Sequence, residues 1–183
     1  MTERLRLWLG WRAAHRLAAA RRPSAARPDP VRRALVLLPP EPAALRAGWR
    51  FVEALAVPVR TVVVGQALAS VPDAFAGTVE RLGPDALAWT GVPRPSVLAR
   101  LWREVDVVVA LVPLDTPAVF AAVAACPAAL RVGVDGSDSE GALDLALGAG
   151  VPGRADVAER MIALLRAVRP PVVPLRDAPP RTP

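Results

Sequence analysis

One short acidic segment carries the side chains best suited to chemistry in this 183-residue chain. Asp135, Ser137, Asp138 and Glu140 lie within six residues, and oxygen ligands of this kind bind hard cations. The spacing does not match an EF-hand, and acidic loops rich in Gly and Ser usually form turns and helix caps. We therefore treat these four residues as candidate ligand-binding residues, and we predict no metal site.

Asp115 and Thr116 form a second polar pair, directly before Pro117. Proline is common in the first turn of a helix, and the residue before it is then often an Asp or Thr that caps the helix. The pair is thus a candidate ligand-binding site at the end of a strand, and equally a pair of capping residues.

The residues that most enzymes use are missing from the body of the chain. His15 is the only histidine and Cys126 the only cysteine, which excludes a Ser-His-Asp triad in the body and a His/Cys zinc site. The turn after the first predicted strand reads PPEP (39–42), where a dinucleotide-binding domain would have a Gly-rich loop. We predict no catalytic residue and no cofactor, and we expect Cys126 to be a buried, unreactive thiol.

The positive charge is concentrated at the start of the chain. The first 33 residues contain nine arginines and two carboxylates, about +7, whereas the whole chain is formally +6. The remaining 150 residues are therefore nearly neutral. The candidate contacts of this basic arm with an anionic partner are Arg4, Arg6, Trp8, Trp11, Arg12, Arg16, Arg21 and Arg22.

The arm is predicted to be helical from Thr2 to Arg22, because it is rich in Ala and Leu and has no proline before Pro23. An apolar stripe of Leu7, Trp11, Ala14 and Ala18 lies on one face. Three readings stay open: the stripe docks on the domain or on a second copy of the chain, the arm binds RNA by phosphate contacts and base stacking, or it lies on a membrane surface.

No segment is predicted to cross a membrane. The longest uncharged apolar run, 118–130, is much shorter than the roughly 20 residues that a bilayer requires. Arg12 and Arg16 interrupt what would be the apolar region of a signal peptide. We therefore expect a cytoplasmic protein that can attach peripherally to a membrane.

After residue 33 apolar strands alternate with amphipathic helices. Strands are predicted at 34–38, 59–64, 86–90, 106–112 and 130–134, with a short sixth at 143–147. Such alternation is typical of a parallel sheet with right-handed crossovers. We predict an α/β, three-layer Rossmann-like domain with a mainly parallel sheet of five or six strands, in the order 3-2-1-4-5.

The chain divides into four predicted segments. A basic N-terminal helix (1–22) and a Pro-rich linker (23–32) precede the α/β domain (33–168), whose last helix is expected at 155–168. A Pro-rich tail (169–183) is predicted to be disordered. Because the linker separates arm and domain, removal of residues 1–31 is expected to leave the domain folded.

Several sequence blocks resemble a small family of uncharacterised bacterial proteins, known only as a domain of unknown function. These blocks are the basic helix, ALAWTGVPRPSVLARLW (86–102), VDVVVALV (105–112) and LRVGV (130–134). Their order is also similar to the N-terminal half of heptosyltransferase-type glycosyltransferases, which close two Rossmann-like domains around a donor nucleotide. The second resemblance covers one domain only, and neither supplies catalytic residues.

The sequence favours a non-catalytic binding or adaptor protein whose basic helix contacts RNA, a ribosome or an anionic membrane, with a protein partner or a homodimer as further possibilities. The alternative is a small-ligand-binding or degenerate glycosyltransferase-like enzyme that uses the carboxyl ends of the strands.

Overall fold

The computed structural model describes residues 2–21, 33–55, 58–64, 79–128, 130–134 and 141–147. These residues form a six-stranded sheet flanked by helices, and every strand pairing in it is parallel. The predicted α/β class is therefore confirmed, as is a helix near the N-terminus.

The helices are α1 (Glu3–Ala19), α2 (Pro42–Ala54), α3 (Pro95–Leu101) and α4 (Pro117–Ala124), with a 3-10 turn at Pro84–Ala86. The strands are β1 (Ala34–Leu38), β2 (Val59–Val64), β3 (Val79–Leu82), β4 (Val107–Ala110), β5 (Leu130–Val134) and β6 (Leu145–Leu147).

The strand order is β3-β2-β1-β4-β5-β6. The predicted order of β2, β1, β4 and β5 is confirmed, but the third position in the sheet is taken by a strand other than the predicted 86–90. At the centre of the sheet, Val36 of β1 pairs with Thr61 of β2 on one side and with Val109 of β4 on the other. Because all strands are parallel, their carboxyl ends share one edge, which we call the carboxyl edge.

The predicted third strand was wrong. Residue 86 ends the 3-10 turn, and the residues after it form a tight turn. In this turn Ala88 N–H donates to Val92 O at 2.8 Å, and Gly91 has φ +84°. A positive φ favours glycine and interrupts an extended strand. The third strand is instead β3, whose Glu80 and Arg81 are tolerated because the strand lies at an edge of the sheet.

The core lies on both faces of the sheet. Leu35 and Leu37 of β1 pack in the cluster that includes residues of α1, α3 and α4, and Val36 and Leu38 pack in the cluster that includes α2. Successive side chains of β1 point to opposite faces of the sheet because side chains alternate along a strand with a period of two residues. The buried residues include Val108, Val109, Trp49 and Phe120.

Several predicted segments lie outside the described residues: the linker at 23–32, the last helix at 155–168, and the tail at 169–183. Within the described ranges, no helix has the length and apolar character needed to cross a bilayer.

Candidate functional site

The N-terminal helix α1 packs on α4 through a face of small residues. Gly10 and Ala14 are buried in this interface. A Cβ placed on Gly10 would overlap the carbonyl oxygen of Thr90 and would lie 3.1 Å from Cγ of Pro117, the first residue of α4. The absence of a side chain at Gly10 thus permits the close approach of α1.

Arg21 attaches the C-terminal end of α1 to the backbone that follows α4. Its Nε donates to the carbonyl of Cys126 at 2.7 Å, and its Nη2 donates to the carbonyl of Ala128 at 2.8 Å. These carbonyls follow the last turn of α4, where backbone oxygens lack helical partners. Since Gly10 lies at the start of α4 and Arg21 beyond its end, the two helices run in the same direction.

Three aromatic rings are in contact where α1 packs on α4. Phe120 is buried, and its ring centroid lies 5.5 Å from that of Trp11 and 4.7 Å from that of His15. Trp11, Ala14 and Ala18 therefore dock on the domain, as one of the three readings of the apolar stripe predicted. Leu7, the fourth member of the stripe, is exposed.

The first two turns of α1 extend beyond the start of α4, by about 10 Å at 1.5 Å per residue. Leu5, Leu7 and Trp8 on these turns are 45–53 % exposed. The N-terminus of α4 follows β4, so this projecting end lies on the side of the carboxyl edge.

Leu5, Trp8 and Arg12 follow each other at spacings of three and four, on the side of α1 opposite Gly10 and Ala14. The guanidinium carbon of Arg12 lies 5.3 Å from the centroid of a Trp8 ring, a cation–π distance. With Arg16, which is also exposed, these residues form what we call the outer face of α1.

The predicted anionic-partner residues divide into two groups. Arg4, Arg6, Arg12 and Arg16 are exposed, and none of the ion pairs found within the described ranges includes them. Arg21 instead binds a backbone carbonyl beyond the end of α4. The pKa of Arg21 is lowered by burial and, to a smaller extent, by the charge of Arg131. Trp11 is packed inward, and Arg22 lies outside the described residues.

A further exposed tryptophan lies beside the projecting end. Trp89, in the turn before α3, is 62 % exposed, and the neighbouring Thr90 carbonyl contacts Gly10. Trp89 was predicted to lie in a strand at 86–90, so the exposed turn was missed. Gly91 at its tip was the available signal, because glycine commonly marks such turns.

Of the polar candidates at the strand ends, the structure describes only Asp115 and Thr116. The Thr116 hydroxyl accepts from Val119 N–H at 3.3 Å, as a cap of α4 does, and Asp115 is exposed beside it. Asp135, Ser137, Asp138 and Glu140 lie outside the described residues. No group of three or more possible metal ligands occurs in the part of the chain that the structure describes.

An ion pair between the buried Arg131 of β5 and the partly exposed Asp144 was not anticipated. Arg131, 5 % exposed, donates to both carboxylate oxygens of Asp144, and also to the carbonyls of Ala124 and Gly141. Burial alone would raise the pKa of Asp144, but the hydrogen bonds and the charge of Arg131 bring it below its usual value. The signal in the sequence was a single arginine within an apolar strand.

The packing of α1 changes the expectation for a truncated chain. Since Ala14 and the rings of Trp11 and His15 cover part of α4, removing α1 uncovers Phe120. We now expect deletion of residues 1–31 to destabilise the domain rather than leave it unaffected.

Comparison of the chain with protein-family models, curated proteins and solved structures gives no match. The resemblances to the uncharacterised bacterial family and to the glycosyltransferase half therefore stay predictions. The interpretation of the site rests on the geometry of α1 and its surroundings.

Proposed function

We propose that the protein is a non-catalytic binding protein that attaches to an anionic lipid surface through the outer face and the projecting end of α1. One observation carries the proposal. Of six exposed large hydrophobic side chains within the described residues, three are on the projecting end of α1, namely Leu5, Leu7 and Trp8. They lie among exposed arginines, and basic and apolar side chains together favour the interface of an anionic membrane.

Lipid explains the exposed leucines better than RNA does. Arginines bind phosphates of either partner, and Trp8 can stack on a base or lie at the headgroup level. Leu5 and Leu7, by contrast, gain free energy only where apolar surface leaves water. An acyl layer provides that environment, and a nucleic acid backbone does not.

Electrostatic attraction adds to the apolar contact. Arg4, Arg6, Arg12 and Arg16 are exposed on a helix that contains a single carboxylate, Glu3. Each arginine near an anionic surface contributes about 1 kcal/mol, and the attraction falls off within a Debye length. Binding should therefore weaken with salt but retain an apolar component.

Because α1 is packed on α4, a lipid surface that binds the outer face of α1 would also hold the α/β domain close to it. Gly10 and Arg21 fix α1 on α4 at two points, so contact through the outer face requires no release of the helix. In this proposal the protein is cytoplasmic and peripheral to the membrane, and the carboxyl edge beside the projecting end remains close to the lipid.

Flotation with vesicles of phosphatidylglycerol and phosphatidylcholine tests the proposal. The full-length protein should float with mixed anionic vesicles and much less with phosphatidylcholine alone. Leu5→Ser with Trp8→Ser should weaken binding by tenfold or more, because a loss of about 1.4 kcal/mol corresponds to a factor of ten. Arg4→Gln with Arg12→Gln should weaken binding to anionic vesicles by roughly thirtyfold at low salt.

Arg103→Gln with Leu145→Ser is the matched control, since both residues are exposed but lie outside α1. It should bind like the unchanged protein. Binding of single-stranded RNA that is lost with the arginines but unaffected by Leu5→Ser would favour the RNA alternative. Equal loss in the control and the α1 variants would overturn the proposed surface.

A further inference from the structure

Exposed apolar side chains lie on more than one side of the projecting end of α1. Leu7 precedes the buried Gly10 by three residues, so it lies on the side of α1 that packs on α4, which we call the docked side. It is nevertheless 52 % exposed. The reason is its position one turn before Gly10, which itself faces Pro117, the first residue of α4. The docked side is thus exposed at this end of the helix.

Trp89 adds an apolar side chain beside the projecting end. At 62 %, it has the largest exposed fraction of the six exposed large hydrophobic residues among those described. The carbonyl oxygen of the next residue, Thr90, lies against Gly10. The backbone of Trp89 is therefore close to the docked side of α1, about one helical turn from the level of Leu7.

The turn that carries Trp89 is held as a small hairpin. Leu87 and Pro93 form an antiparallel bridge across it. Arg94 closes it twice, because its backbone N–H donates to the Ala86 carbonyl at 3.0 Å and its Nε donates to the Leu87 carbonyl at 3.2 Å. The exposed indole is thus presented from an ordered backbone, which reduces the entropy that a partner must offset on binding.

A helix that lay flat on lipid through its outer face would leave both of these side chains outside the acyl layer. Leu7 is on the docked side and the Trp89 backbone is beside it, roughly 10 Å from the outer face, which is the diameter of a helix. The apolar face of an interfacial helix enters the membrane by roughly 5–10 Å. If α1 instead enters by its projecting end, both side chains reach the lipid together with those of Leu5 and Trp8.

We propose that an anionic bilayer binds the protein at two points, the projecting end of α1 and the indole of Trp89, so that the carboxyl edge faces the membrane. This inference rests on the proposed lipid attachment and adds to it a second contact and an orientation. Indoles favour the headgroup level of a membrane. Arg4 and Arg6, both exposed on the projecting end, supply the attraction to lipid phosphates.

Leu7→Ser and Leu17→Ser form a matched pair for this orientation. Both leucines are exposed, and their spacings of three and seven residues from Gly10 put both on the docked side, but only Leu7 is on the projecting end. In flotation with vesicles of phosphatidylglycerol and phosphatidylcholine, Leu7→Ser should weaken binding by about threefold to tenfold. Leu17→Ser should leave it unchanged. A helix lying flat on its outer face predicts no effect of either substitution.

Trp89→Ser should weaken binding to the same vesicles by about tenfold, because an indole at the headgroup level is lost. Leu145→Ser is its control, since Leu145 is exposed but begins β6, at the end of the sheet opposite the carboxyl edge. The emission difference between the full-length protein and Trp89→Phe should also be quenched by lipids brominated near the headgroup.

The outcomes separate this inference from the attachment on which it rests. If the full-length protein floats but Trp89→Ser binds equally well, or Leu7→Ser and Leu17→Ser bind alike, the two-point orientation is wrong and attachment by α1 stands. A full-length protein that does not float with anionic vesicles overturns both.

Discussion

Gly10 of α1 lies against the carbonyl oxygen of Thr90, in a contact that leaves no room for a Cβ. The turn that carries Thr90 also carries the exposed Trp89, so this contact joins the basic helix to the region of the carboxyl edge. At the C-terminal end of α1, Arg21 forms a second attachment by donating to the Cys126 carbonyl. The helix is thus part of the folded domain, and it also carries four of the six exposed large hydrophobic side chains among the described residues.

Gly10→Ala should destabilise the protein by about 1–3 kcal/mol, because a backbone carbonyl cannot move aside as a flexible side chain can. Helix propensity alone predicts the opposite, a gain of up to about 1 kcal/mol. The free energy of unfolding in urea measures the sign. Ala19→Gly at an exposed position of α1 serves as the control and should cost only the propensity difference; a stabilised Gly10→Ala protein would contradict the close packing.

Phe120→Ala should cost roughly 3–5 kcal/mol, as truncation of large core residues does. It should also shift the NMR signal of His15, whose ring lies 4.7 Å from that of Phe120. Leu98→Ala in α3 is the matched control, because it removes a core side chain that is not among the ring contacts of α1. An unchanged His15 signal in Phe120→Ala would mean that α1 does not dock as described.

Asp144→Asn should destabilise the protein by roughly 1–3 kcal/mol at pH 6, since Arg131 would lose its charged partner. The lowered pKa of Asp144 means that the ion pair stabilises the fold above the usual value of 3.8, and that this contribution is lost as pH falls through the lower folded value. The difference between the two proteins should therefore shrink below about pH 4. Urea unfolding from pH 6 to pH 2 measures it, with exposed Asp115→Asn as control; a constant difference would refute the role of this carboxylate.

Cys126 should resist thiol reagents in the folded protein. It is fully buried, and burial raises its pKa to about 11, so very little thiolate is present at pH 8. Labelling with a chromogenic disulfide should be slow without denaturant and rapid in guanidinium chloride. Equally rapid labelling in both would show that the interior near the end of α4 opens readily.

Much of the fold could be predicted, because buried parallel strands have a clear sequence pattern. The bounds of β1, β2 and β5 agree with the predicted 34–38, 59–64 and 130–134. The edge strand β3 could not be found in this way, because Glu80 and Arg81 interrupt its apolar pattern. Residues 86–90 have a more apolar composition than β3 but form a turn, which shows the limit of composition as a guide at sheet edges.

The candidate site was only partly predictable. The arginines of α1 and its stripe of Trp11, Ala14 and Ala18 were evident in the sequence, but sequence alone could not tell whether the stripe docks on the domain. That depends on contacts between distant residues, such as Gly10 with Thr90 and Arg21 with Cys126. Arg131 is a similar case, because its pairing with Asp144 depends on how β5 and β6 lie together.

The most direct test of membrane attachment by α1 is the tryptophan emission of the full-length protein and its Trp8→Phe variant on anionic vesicles. The chain has five tryptophans, and the difference between the two proteins isolates Trp8. If the outer face enters the lipid interface, the Trp8 contribution shifts to the blue and is quenched by brominated acyl chains. No such shift in the difference spectrum, or the same spectral change in both proteins, would contradict the proposed attachment.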